Sequence, residues 1–162
     1  MAVLDDAIAL EKRAQSNYNE AIGQVDDPSG KKILAMLAEE EEKHAQMLEQ
    51  MKGGSYSELR GPSLLDEVRG MVEGAVEVGR DSIFVDASMR DVLQRAMEIE
   101  QTTKKFYDEH AVASEDAKLK ELFEKLASFE LEHYQLVSSL ARYYDRPSEW
   151  VESAEFGLRP EY

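Results

Sequence analysis

The chain has 162 residues with no cysteine, 34 acidic against 19 basic side chains, a formal charge of −15, and 43% hydrophobic residues. That is enough apolar material for one domain with its own core, and the missing thiols exclude disulfides, thiolate zinc, iron–sulfur clusters and thiol catalysis. So acidic a surface repels phosphate backbones, so nucleic acid is not an expected partner.

No apolar run approaches the ~18 residues that cross a bilayer. Met1 to Asp6 shows neither a basic nor an apolar signal region, so a cytoplasmic location is expected.

The first predicted helix runs from about Val3 to Gln24, with Leu4, Ile8, Glu11, Tyr18 and Ile22 on one stripe. Asp27 then offers an N-cap and Pro28 a first helical residue, opening a second helix that ends near Lys52 at Gly53-Gly54. Its inward stripe reads Ile33, Leu34, Leu37, Glu41, His44, Leu48 and Met51. Residues 54–86 form a long crossover, in which the apolar spacing from Leu64 to Val78 predicts an extra helix.

A third helix is expected from near Asp86 or Ser88, carrying Leu93, Met97, Glu100, Tyr107 and Ala111. Ser114 is the expected cap of a fourth, which carries Leu122, Phe123, Leu126, Glu130, His133, Val137 and Leu140. Short turns make each helix pair an antiparallel hairpin, residues 3–53 and 87–143. The expected fold is therefore all-α, a four-helix bundle over residues 1–145. The tail, 146–162, contains Trp150 and Phe156 and is expected to pack on the bundle or on a partner subunit, with a homodimer as the expected assembly.

The two hairpins repeat one another. The differences 100 − 11, 130 − 41 and 133 − 44 are each 89, and the same offset pairs Leu4 with Leu93, Tyr18 with Tyr107 and Leu37-Ala38 with Leu126-Ala127. Leucines recur in any duplicated helix pair. The informative matches are polar residues on apolar stripes.

Glu41 and His44, three apart, share a helix face with Leu37 and Leu48, and Glu130 and His133 repeat the pattern. A buried carboxylate without a partner costs several kcal/mol or takes up a proton. Two Glu-x-x-His motifs plus one inward glutamate from each remaining helix, Glu11 and Glu100, are the ligand set of di-iron and di-manganese carboxylate bundles. Four carboxylates against two divalent ions leave a neutral site. Iron, manganese and zinc all suit these donors.

Of the neighbouring acids, Glu40 falls at the stripe edge and reads as solvated, and Glu98 lies off the stripe. His110 reads as an ordinary helix-end histidine. Tyr18 and Tyr107 follow Glu11 and Glu100 by two turns; they either fill the core or hydrogen-bond a ligand glutamate of the opposite hairpin.

Ala-Leu-Glu-Lys-Arg-Ala-Gln-Ser-Asn-Tyr around Glu11, Leu-Ala-Glu-Glu-Glu-Glu-Lys-His-Ala around Glu41, the stretch from Glu100 through Tyr107, and Leu-Ala-Ser-Phe-Glu-Leu-Glu-His around Glu130 resemble the rubrerythrin family of ferritin-like proteins. The resemblance covers about residues 3–54 and 88–142. It implies a ferritin-like bundle with two iron ions on Glu11, Glu41, His44, Glu100, Glu130 and His133, reacting with hydrogen peroxide or dioxygen in defence against oxidative stress.

Rubrerythrins often carry a cysteine-rich rubredoxin domain that feeds electrons to the iron. This chain has no cysteine, so a separate donor, such as a rubredoxin-type protein, is expected. Three functions follow. The first is a di-iron peroxidase, the second a ferroxidase or iron-handling protein, and the third a metal-stabilised bundle without turnover.

Overall fold

The computed structural model describes residues 2–55, 64–69 and 87–145. Among them there is no strand. Four long helices, α1 (Ala2–Ile22), α2 (Pro28–Lys52), α3 (Ala87–Ala113) and α4 (Ala117–Asp145), make an all-α, ferritin-like bundle.

Local chemistry sets the helix ends. Asp27 is extended (φ −63°, ψ 119°), and its Oδ2 accepts from the Gly30 amide at 2.9 Å, with Pro28 opening α2 where no amide is needed. At the other end the Gly54 amide donates to the Met51 carbonyl and the Ser55 amide to the Gln50 carbonyl, each at 3.0 Å. This double closure requires a left-handed residue, and Gly54 supplies it at φ +78°.

The expected cap of the last helix is corrected. Asp116, not Ser114, caps α4, its Oδ1 accepting from the Lys118 amide at 2.9 Å and the Leu119 amide at 3.1 Å. A carboxylate accepts two amides where a single hydroxyl cannot reach them, and Ser114 instead donates to the Asp116 carbonyl. The first helix also stops at Ile22, two residues short of expectation, in a turn closed by Gly23 N–H to Glu20 O and Gln24 N–H to Ala21 O.

α1 packs along α2 and α3 along α4, with lighter contacts between α1 and α3 and between α2 and α4. The apolar core falls into two clusters. One gathers Ala21, Leu34, Leu37, Leu93, Leu136 and Leu140, and the other Leu4, Met47, Leu48, Phe123 and Leu126. Along α1 and α4 the chain runs from the second cluster to the first, and along α2 and α3 from the first to the second. Each hairpin is therefore antiparallel, and α2 and α3 point the same way, which is why a long crossover must connect them.

Residues 64–69 are helical, and Leu64 and Val68 are buried in the first cluster. The rest of the predicted crossover helix and the predicted tail contacts lie outside the described residues. Ile8, Ile22 and Met97, expected on the inward stripes, are only half-buried. Ala7, Ala14 and Ala21 take the fully inward positions of α1, because small side chains let the helix axes come close.

Between the two clusters lies a polar layer. Each helix crosses it once, and each brings a carboxylate to it.

Candidate metal centre

Glu11, Glu41, His44, Glu100, Glu130 and His133 are all at most 2% exposed. They form two overlapping groups, Glu11–Glu41–His44–Glu130 and Glu41–Glu100–Glu130–His133, within which one donor atom of each residue lies within 4.8 Å of the others. Glu41 and Glu130 belong to both groups. Glu11 and Glu100 each belong to one, as do the two histidines.

His44 Nδ1 lies 3.1 Å from Glu130 Oε1, 3.3 Å from Glu41 Oε2 and 3.6 Å from Glu11 Oε2. None of these contacts has hydrogen-bond geometry. His133 Nδ1 hydrogen-bonds Glu41 Oε1 at 3.0 Å and stands 3.5 Å from Glu100 Oε2. The two imidazoles are stacked, with centroids 5.3 Å apart. In both, Nδ1 is the nitrogen turned toward the carboxylates.

The tyrosines cross between hairpins. The Tyr18 hydroxyl of α1 donates to Glu100 Oε1 of α3, and the Tyr107 hydroxyl of α3 donates to Glu11 Oε1 of α1. Burial and the neighbouring carboxylates hold both phenols well above their usual range, so they stay neutral donors. Each takes one oxygen of its glutamate and leaves Oε2 free.

Five atoms of this layer are buried without a hydrogen-bond partner: Glu11 Oε2, Glu41 Oε2, His44 Nδ1, Glu100 Oε2 and Glu130 Oε1. Such orphans are rare in native cores because each costs about 1–3 kcal/mol. Here all five converge on the same small space, and all are oxygen or imidazole donors suited to divalent iron, manganese or zinc. The residues fit a metal.

The electrostatics of the metal-free layer show the same need. Burial, then the charge of Glu41, pushes Glu11 up to about 8. Burial also raises Glu130 well above the carboxylate range, with Glu41, Glu11 and Glu100 adding to the effect. Glu41 goes the other way: burial would raise it, but His133 and His44 outweigh that and hold it low. Burial would lower both histidines, and their carboxylate neighbours overcome it, taking His44 to about 10 and His133 well above its usual value. Without cations the layer keeps protons instead.

The sequence profile of the rubrerythrin family matches residues 2–141. The chain belongs to the rubrerythrin family. Its fold is shared with a hypothetical protein from Pyrococcus furiosus, 22% identical, with a TM-score of 0.63 over 88% of this chain and 87% of that one. No curated protein is significantly similar in sequence. Family membership implies iron binding, and the buried Glu/His groups are able to hold metal. No helix of the described residues is long and apolar enough to cross a membrane.

Of the other residues weighed from sequence, Glu98 is exposed, and His110 is half-buried, its Nδ1 2.8 Å from the Phe106 carbonyl at the end of α3. Sequence reasoning missed two neighbours of the rubrerythrin layer. Phe129 stacks on His44, and Glu40, read as solvated, is half-buried with an oxygen within 4.8 Å of a ring nitrogen of both His44 and His133. The available signal was the four-residue step from Glu40 to His44, one helical turn.

Proposed function

We propose that the protein is a di-iron oxidoreductase that reduces hydrogen peroxide, holding one ion with Glu11 and His44, the other with Glu100 and His133, and both with Glu41 and Glu130. The observation that carries this reading is the pair of four-residue groups sharing two carboxylates, with five orphaned donor atoms turned into them. Reduction of hydrogen peroxide to two waters consumes two electrons and two protons. Two ferrous ions held by these residues would supply one electron each.

The protein's own part is positioning and exclusion. Tyr18 and Tyr107 fix the outer glutamates by one oxygen and present the other, an arrangement in which second partners orient the ligands. Apolar clusters above and below keep bulk water from the layer, which strengthens every charge interaction inside it. The 162 residues contain no thiol ligand for a rubredoxin-type iron, so the electrons that restore the reduced state come from a donor outside them.

The test is anaerobic ferrous loading of metal-free protein, followed by peroxide or air, with the near-ultraviolet spectrum recorded over time. Two irons per chain and oxidation faster with peroxide than with air support the reading. Oxidation faster with air transfers the assignment to a ferroxidase. Oxidation no faster than that of free ferrous ion would sink both.

A further inference from the structure

The 89-residue offset that relates the hairpins breaks beside the site: where the first hairpin has Glu40, the second has Phe129. Phe129, itself half-buried, lies flat on His44, with centroids 5.2 Å apart and planes 13° from parallel, so that position puts an apolar ring with no ligand atom at the boundary of the layer. Glu40 makes the opposite kind of boundary. Its side chain is 26% exposed, yet one of its oxygens is within ligand-sharing distance of ring nitrogens of both His44 and His133, which are buried.

On its outer side Glu40 holds a cation already. Lys43 Nζ stands 2.7 Å from Glu40 Oε1, and 3.2 Å from Glu39 Oε1 further out. Lys43 is itself 41% exposed. A divalent ion arriving from water must shed its shell before it reaches six donors that solvent hardly touches. A carboxylate that meets solvent on one side and two imidazoles on the other can exchange that shell in steps.

We propose that Glu40 is the loading carboxylate of the centre. An incoming divalent cation displaces Lys43 from Glu40, is held there together with His44 and His133, and passes inward to Glu41 and Glu130. Lys43 swings to Glu39, which it already touches, and returns to Glu40 once the ion has moved on. Phe129 at the equivalent position of the other hairpin offers no carboxylate, so of the two positions only Glu40 can load an ion. This inference rests on the six buried residues being a di-metal centre.

The experiment is stopped-flow uptake of Co²⁺, which is coloured when bound and does not turn over, by metal-free full-length protein and three variants. Loss of a focusing charge at the approach slows association by about tenfold, so Glu40→Gln loads about tenfold slower than wild type with the same final number of ions. Glu42→Gln, at an exposed glutamate of the same helix and with the same change in net charge, stays within about twofold of wild type. Lys43→Met loads faster, because no cation has to leave. Circular dichroism and melting of each metal-free variant confirm an intact bundle.

Equal uptake rates for Glu40→Gln, Glu42→Gln and wild type overturn the proposal. So does loss of an ion at equilibrium in Glu40→Gln, which would make Glu40 a resident ligand. If wild type itself takes up no buried Co²⁺, the di-metal reading fails first, and that outcome is read from stoichiometry alone.

Discussion

Metal loading should expel protons. With no cation present, Glu11 titrates at about 8 and His44 at about 10, so both carry a proton at pH 7. Glu130 and His133 are raised in the same direction. A carboxylate or imidazole must be unprotonated to ligate. Loading at pH 7 therefore releases at least two protons per chain, from Glu11 and His44, and up to four with Glu130 and His133.

Four protons leaving as two divalent ions arrive is an exchange of +4 for +4. The charge of the layer is then nearly unchanged, and that is what lets it stay buried in either state. With at least two protons displaced, the apparent affinity rises at least about a hundredfold per pH unit below pH 8, each proton contributing about 1.4 kcal/mol per unit. The slope falls by one proton above about 8, where Glu11 has already ionised. Titration with Co²⁺ in weakly buffered solution with an indicator dye gives the count, and calorimetry in buffers of different ionisation enthalpy checks it. Release of less than one proton per chain would refute the reasoning, since the layer would then be ionised before metal arrives.

The same shifts give the metal-free protein a pH-dependent stability. A raised group stabilises fully below its unfolded value and loses this as pH climbs through its folded value, so Glu11 gives up on the order of 5 kcal/mol between 4.5 and about 8. His44 continues the loss from 6.5 to about 10, while depressed Glu41 works in reverse and withdraws stability as pH falls below 4.5. Thermal melts of metal-free protein should peak near pH 5, and a midpoint that climbs steadily from pH 5 to 9 would contradict this. Tyr18→Phe and Tyr107→Phe each strip a buried carboxylate of its donor and should lower metal affinity by about 10–100-fold, measured by chelator competition. Asp116→Ala should cost about 1 kcal/mol in urea unfolding as α4 loses its cap, with Ser114→Ala near neutral.

How much of this was legible beforehand depended on whether a residue's environment is set by its own helix or by another. α2 was readable to the residue, because Asp27, Pro28 and Gly53-Gly54 act within one turn of themselves. The six polar residues of the layer were readable because period and repeat both placed them inward, and the structure does bring all six together. The cap of α4 was not: Ser114 and Asp116 are both good caps, and the choice rests on which side chain reaches two amides at once. Ile8 and Ile22 were placed too deep because a hydrophobicity pattern ranks isoleucine above alanine, whereas close helix contact favours Ala7, Ala14 and Ala21.

Glu40 is the instructive miss, for the repeat itself argued against it. Pairing positions by the 89 offset draws attention to what the hairpins share, and Glu40 pairs with Phe129. Shared positions must satisfy one demand in both copies, here that of a buried cation site. A position that differs is free of that demand and can serve only one side. A bundle with phenylalanine at both positions would offer an ion no carboxylate at the boundary and so no stepwise way in. One with glutamate at both would open the layer to water twice and add a fifth and sixth carboxylate to a site that two divalent ions balance at four. A ring on His44 and a carboxylate within reach of both His44 and His133 give the two equivalent positions different chemistry, one apolar and one able to hold a cation. The asymmetry between duplicated halves therefore carries as much information about the centre as their likeness does.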